Sequence, residues 1–158
     1  MDALAYLTQH KDLTLMISKD LDRVDALRSS LKSIPSPSVC PDPVQVSPRV
    51  EALYAERLVE IDELEAMIRI KEDLAARLES QIKAALNQMR LSRVKNAQDL
   101  ADLLLYYFIL HKEWDDVRFF LHIGQATVFR WRILALAAFP LPDDPIDIYQ
   151  ELSQLNAA

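Results

Sequence analysis

Apolar residues recur at spacings of three and four through most of the chain, the period of an α-helix. Over residues 2–33 a broad stripe runs through Leu4, Leu7, Leu13, Ile17, Leu21, Val24, Leu27 and Leu31, with Lys11, Lys19, Asp20, Arg23 and Arg28 off it. The pattern stops at Ile34-Pro35, and the residues before Leu7 are expected to fray. A second stripe holds from Arg49 to about Leu91, through Ile61, Leu64, Ile68, Ala75, Leu78, Ile82, Ala85 and Met89, and is widened by Leu74 and Leu86. It is heptad-like, with a polar interruption at Lys71. At 1.5 Å per residue this helix reaches roughly 60 Å, too long to bury its stripe on a small core. It needs the first helix folded back on it, a second chain, or both. The connector, residues 34–48, holds five of the eight prolines (35, 37, 41, 43 and 48) and reads as a stiff extended loop.

Beyond Leu91 the segments shorten. Asn96 followed by Asp99 has the pattern of a side-chain cap and a third-position acid. The helix that follows is expected to run to about His111, with Leu100, Leu103, Leu104, Tyr107 and Leu110 inward. Tyr106, Phe108 and Ile109 leave it almost no polar face, which predicts burial on most sides, against a partner or the long helices. Residues 114–122 and 125–139 then flank Gly124, the only glycine. Trp114, Val117, Leu121 and Ile123 form one apolar side, and Val128, Trp131, Ala135 and Ala138 the next. Two helices about a tight turn make a helix-turn-helix, and glycine serves such a turn by taking positive φ or by starting a helix. The second helix would then turn Gln125, Ala126, Phe129, Arg130 and Arg132 away from the core, where they can reach a DNA groove. Its C-terminal half, with Ile133, Leu134, Leu136, Ala137 and Phe139, is apolar nearly all round and is expected to be buried. After PLPDDP, Asp144 reads as an N-cap, Pro145 as a first-turn proline and Asp147 as the third-position acid. Ile148, Leu152 and Leu155 give a short acidic helix one apolar stripe with which to dock.

Lys112, Trp114, Val117, Leu121, Ile123, Gly124, Thr127, Val128, Arg130, Ala135 and Leu136 carry a resemblance. They are similar to the tail of region 4 of bacterial sigma factors, K-x-W-x-x-I-x-x-x-L-x-I-[SG]-x-x-T-V-x-R-x-x-x-x-A-L. From about Leu13 to Phe139 the layout resembles small phage-encoded proteins that place this module behind a two-helix coiled coil with a Pro-rich connection. These are related in pattern to late-gene regulators of the ArpU and RinA type. The resemblance implies transcription regulation in the cytoplasm of a bacterial host cell. The chain departs from the pattern at Ile133 and Leu134, where charged residues are usual, and lacks the Arg and Glu usual near Tyr107 and Leu110.

Charge works against a nucleic-acid reading and local charge softens it. The 158 residues carry a formal net charge of −6, whereas DNA-binding domains are usually basic. Over residues 92–139 six basic side chains face five acidic ones, a local +1. Arg130 and Arg132 can meet phosphates or guanine edges, Gln125 can read adenine, and Thr127 can bond phosphate or cap its helix. Phe129 can touch a thymine methyl or pack on Trp114, and Lys112 stands beside the motif as a phosphate contact. The competing reading pairs both arginines with Asp115 or Asp116. The single cysteine, Cys40, cannot form a disulfide or a thiolate zinc site within one chain. His10, His111 and His122 show no ligand spacing, one glycine cannot build a phosphate-cradling loop, and no nucleophile or metalloprotease motif occurs. No cofactor and no catalytic residue is therefore expected. The amino terminus has no signal-peptide pattern, and no apolar run is long enough to span a bilayer.

The expected fold is all-α: a long antiparallel coiled-coil hairpin over residues 1–91, a helix-turn-helix domain over 92–139, and an acidic C-terminal tail with a short helix over 140–158. The expected function is a transcriptional regulator that docks on double-stranded DNA through Lys112, Gln125, Ala126, Thr127, Phe129, Arg130 and Arg132, and self-associates through the coiled coil. The alternative is a protein-interaction or assembly module without DNA binding. That module would be an RNA polymerase-binding or anti-sigma-like adaptor, or a small packaging subunit.

Overall fold

The computed structural model describes residues 1–33 and 48–157. Among these the chain is all-helical, with no strand. The Pro-rich connector and Cys40 lie outside the described residues, apart from Pro48. In order, the helices are α1 (Ala3–Lys32), α2 (Pro48–Arg90), α3 (Ala97–Leu104), α4 (Trp114–Leu121), α5 (Gln125–Ala138) and α6 (Ile148–Ala157). A π-helical segment, Leu105–Ile109, continues α3. The chain forms two compact units, Leu15–Asp73 and Met1–Thr14 with Leu74–Ala158. Their boundaries cut α1 and α2.

In the Leu15–Asp73 unit, Val24, Leu27, Ile61 and Ile68 are buried together, with Ile17, Leu31 and Leu64 packed against them. Asp20 lies opposite Lys71 and Ser30 opposite Arg57, so the two helical segments run antiparallel. Lys71, the polar break in the α2 stripe, is met by the Asp20 carboxylate 2.5 Å away, with both side chains mostly buried. Arg23–Glu60 and Arg28–Glu65 are exposed pairs at the edge of the same seam. Pro48 opens α2, a position where its missing N–H costs nothing.

In the other unit the start of α1 is held rather than frayed. Asp2 Oδ1 accepts the Ala5 N–H at 2.7 Å, and Tyr6, Leu7 and Leu13 are fully buried. The α1 stripe is also shifted from the expected one: Leu4 and Leu21 are exposed, and Tyr6 and His10 take inward places. Leu78, Ile82, Leu86 and Met89 of α2 form the rest of this floor. Arg90 reaches across to Asp102 at 2.5 Å. Asn96 does precede α3, but its φ is +60° and its side chain makes no capping bond. It serves the turn by adopting the left-handed conformation, which Asn tolerates.

The π-helical segment corrects the inward face expected of the third helix. Leu100, Leu103 and Leu104 are buried as expected, but Phe108 and Ile109 are buried in place of Leu110, which is 48% exposed. The Leu110 N–H bonds back five residues to Leu105, and the Lys112 N–H six residues to Tyr106. Each wide turn inserts extra chain and moves the buried register on by about one residue.

The C-terminal helix docks by polar contacts as well as by its stripe. Its cap is Asp147, whose Oδ1 accepts the N–H groups of Tyr149 and Gln150, and not Asp144. Ile148 is fully buried, whereas Leu155 is exposed. Gln9, itself buried, donates to the Ile146 carbonyl at 2.9 Å and accepts the Ile148 N–H at 2.8 Å. Gln81 accepts the Ile146 N–H at 3.0 Å and the Tyr6 hydroxyl at 2.6 Å. Arg77 bonds both carboxylate oxygens of Glu151, at 3.2 and 2.9 Å.

Candidate nucleic-acid interface

α3, α4 and α5 pack on one another. Val117 of α4 and Val128 and Ala135 of α5 are their shared core. The turn between α4 and α5 takes a form that the glycine did not predict. The Ile123 N–H bonds to the Arg118 carbonyl at 3.2 Å and the His122 N–H to the Phe119 carbonyl at 3.3 Å. This closing pair places its left-handed residue one after the last helical turn. That residue is His122, at φ 55°, and Gly124 has φ −78° and simply precedes α5. A Cβ on Gly124 would meet nothing within 4 Å.

At about 100° per residue, α5 divides into two half-cylinders. One carries Val128 and Ala135, both buried, flanked by half-buried Thr127, Trp131, Arg132 and Ala138. The other carries Gln125, Ala126, Phe129, Arg130, Ile133 and Leu134, all exposed. The structure thus brings Gln125, Ala126, Phe129 and Arg130 of the expected set onto one outward surface. Arg130 is held only loosely, with Nη2 3.5 Å from Thr127 Oγ1. Lys112 is exposed ahead of α4.

Arg132 departs from the set. Its guanidinium lies over the Trp114 ring, 5.1 Å from the centroid, and is half-buried there. Trp114 in turn stacks on Tyr107 with centroids 3.8 Å apart, so it is not the seat of Phe129, which is 56% exposed. Among the described residues neither arginine forms an ion pair with Asp115 or Asp116.

The expectation of a buried C-terminal half of α5 holds only in part: Ala135 and Phe139 are buried and Leu136 is half-buried, but Ile133 and Leu134 are not. Ile133 is 70% and Leu134 55% exposed, and Phe119 on α4 is 78% exposed. α5 is apolar on both half-cylinders, and the three-helix packing covers one of them.

A second cluster, which the sequence did not mark, lies where the π-helical segment ends. The His10 and His111 rings stack with centroids 5.1 Å apart and 20° between planes. His10 Nε2 stands 3.3 Å from Glu79 Oε2, and Lys83 Nζ 2.7 Å from Glu79 Oε1. His10 Nδ1 and both ring nitrogens of His111 are buried without a hydrogen-bond partner. Desolvation pushes the His111 imidazole below its ordinary value; His10 and Lys11 add to this and Glu79 opposes it. The hydrogen bond from Lys83 holds the Glu79 carboxylate low against its own desolvation, with His10 assisting. The sequence carries no local signal for it, since the two histidines lie 101 residues apart in the chain.

Among the described residues no group of three or more acidic, His or Cys side chains is placed to hold a metal ion, and no helix is long and apolar enough to cross a membrane. Comparison of the chain with protein-family models, curated proteins and solved structures finds no match.

Proposed function

We propose that the chain is a DNA-binding regulator in which α4 and α5 act as a helix-turn-helix and the antiparallel α1–α2 segments act as a coiled-coil hairpin. The observation that carries this reading is the outward set Gln125, Ala126 and Arg130 on the first turns of α5, with Val128 and Ala135 fixing the opposite side of the helix. Arg130 has no acidic partner among the described residues and is available to a phosphate or a guanine edge. Lys112, exposed ahead of α4, is a second cation. Arg132, seated on Trp114, supports the surface rather than reaching from it. With so few cations the affinity of one copy is modest, and self-association would raise it by presenting two helices together.

Fluorescence anisotropy with random duplex DNA across a salt series tests this. Binding should appear at low salt and fall steeply as salt rises, because phosphate contacts release condensed counterions. Arg130→Ala should weaken it and reduce the salt slope by about 1. Absence of binding at low salt sinks the reading.

The second reading is a protein-interaction module, an adaptor for RNA polymerase or another protein. Exposed Phe129, Ile133 and Leu134 on the outward side of α5 favour it, since large apolar side chains gathered on one surface are costly to leave in water. On that reading Ile133→Lys abolishes partner binding, whereas Arg130→Ala does not.

A further inference from the structure

We propose that the stacked His10–His111 pair is a proton-sensitive latch. With His111 neutral it clasps the segment 105–111 to α1; with His111 protonated it releases that segment.

The cluster can balance one extra positive charge and no more. Glu79 is its single carboxylate, and Lys83 already engages one of its oxygens. The other Glu79 oxygen faces His10 Nε2 at 3.3 Å. A proton on His111 finds no acceptor, because neither of its ring nitrogens has a partner. It would face the His10 ring at 5.1 Å. The cations around it add to the cost. Lys11 projects from α1 over Tyr107, 5.9 Å from its centroid, and Lys112 follows His111 in the chain. An imidazolium at His111, stacked on the His10 ring and without an acceptor, is costly where its nitrogens are shut off from water.

The clasped segment also carries irregular backbone. It is π-helical, and His111 holds a left-handed backbone at φ 55°, which costs a non-glycine residue energy that its contacts must supply. The His stack and the Lys11–Tyr107 contact tie it to α1. Tyr107 stacks on Trp114, and Trp114 seats Arg132 of α5. Release would therefore loosen an aromatic seat beneath the outward surface of α5, whatever that surface binds.

Hydrogen exchange followed by NMR on the full chain at pH 7.5 and 5.5, with rates divided by their intrinsic values, tests the latch. The Leu110 and Lys112 amides report on the segment, since both are bonded within it. A released His111 titrating at its ordinary value of about 6.5 raises the opening equilibrium up to about tenfold between those pH values. The Leu27 amide, in the other unit, should change little. His111→Asn, which keeps a side chain tolerant of the left-handed backbone and does not titrate, should abolish the pH dependence. His10→Gln should reduce it, and His122→Asn, which removes the remaining histidine, should leave it intact. Equal protection at both pH values in the unaltered chain overturns the latch. So does an unchanged pH dependence in His111→Asn and His10→Gln, or its loss in His122→Asn.

Discussion

His122 occupies a left-handed backbone position that a glycine would fill without strain, and Gly124 occupies an ordinary one. His122→Gly is therefore expected to gain roughly 0.5–1 kcal/mol in urea unfolding, the left-handed penalty offset in part by chain entropy. Gly124→Ser should gain a few tenths of a kcal/mol, because serine caps a helix better than glycine and its Cβ has open space. A loss of about 1 kcal/mol or more in Gly124→Ser would mean that the turn needs glycine after all. Gln9 shows the opposite case, a polar residue whose burial is fully matched. Gln9→Ala would leave the Ile146 carbonyl and the Ile148 N–H unpaired, at a cost of about 1–3 kcal/mol each when buried. Limited proteolysis should then cut between residues 140 and 147 faster than in the unaltered chain.

At the scale of elements, the seam between α1 and α2 carries one mostly buried ion pair, Asp20–Lys71. Removing either partner leaves a charge in an apolar seam, whereas removing both does not. Lys71→Leu alone should cost more than the double change Asp20→Leu with Lys71→Leu, which should lie near or above the stability of the unaltered chain. A double change as costly as the sum of the single ones would show that the two charges act independently. The α2 stripe was legible in the sequence because a long helix without glycine or internal proline repeats its period many times. Ile61, Ile68, Leu78, Ile82, Ala85 and Met89 all fall inward as read. The third helix was legible only to Leu104. A π-helical turn has no signature in hydrophobic spacing, because it arises when packing makes a wider turn cheaper than burying the next side chain in register.

For the whole molecule, the half-buried His111 and the buried Tyr6 each make stability depend on pH. Burial lowers His111 in the folded state. The unfolded chain then binds the proton first, so stability is full above about pH 6.5 and is lost as pH falls below it. Burial raises the Tyr6 hydroxyl far above its ordinary value of 10.0. The unfolded tyrosine ionises first, so stability is full below about pH 10 and is lost as pH rises beyond it. Denaturant midpoints from pH 5 to 11 should trace a plateau with both shoulders. Tyr6→Phe should lower the plateau through its lost bond to Gln81 and flatten the alkaline shoulder, and a shoulder unchanged by that substitution would exclude Tyr6 as its source.

By itself the sequence determined that the chain is helical, where its two long helices lie, and which residues of α2 face inward. Those properties follow from periodicity, from proline at the breaks, and from the near absence of glycine. It also placed Gln125, Ala126, Phe129 and Arg130 on one side of a short helix, since 100° per residue is fixed by backbone geometry. Tertiary structure decided the rest. The sequence marked Val128 and Ala135 as the inward stripe of α5, but the C-terminal half is apolar nearly all round, and only packing decided that Ile133 and Leu134 stay in water. Arg132 was drawn from the outward set by an aromatic ring, Trp114, that only the fold brings near. His10 and His111 meet across 101 positions of chain, and no local pattern encodes a contact made at that distance.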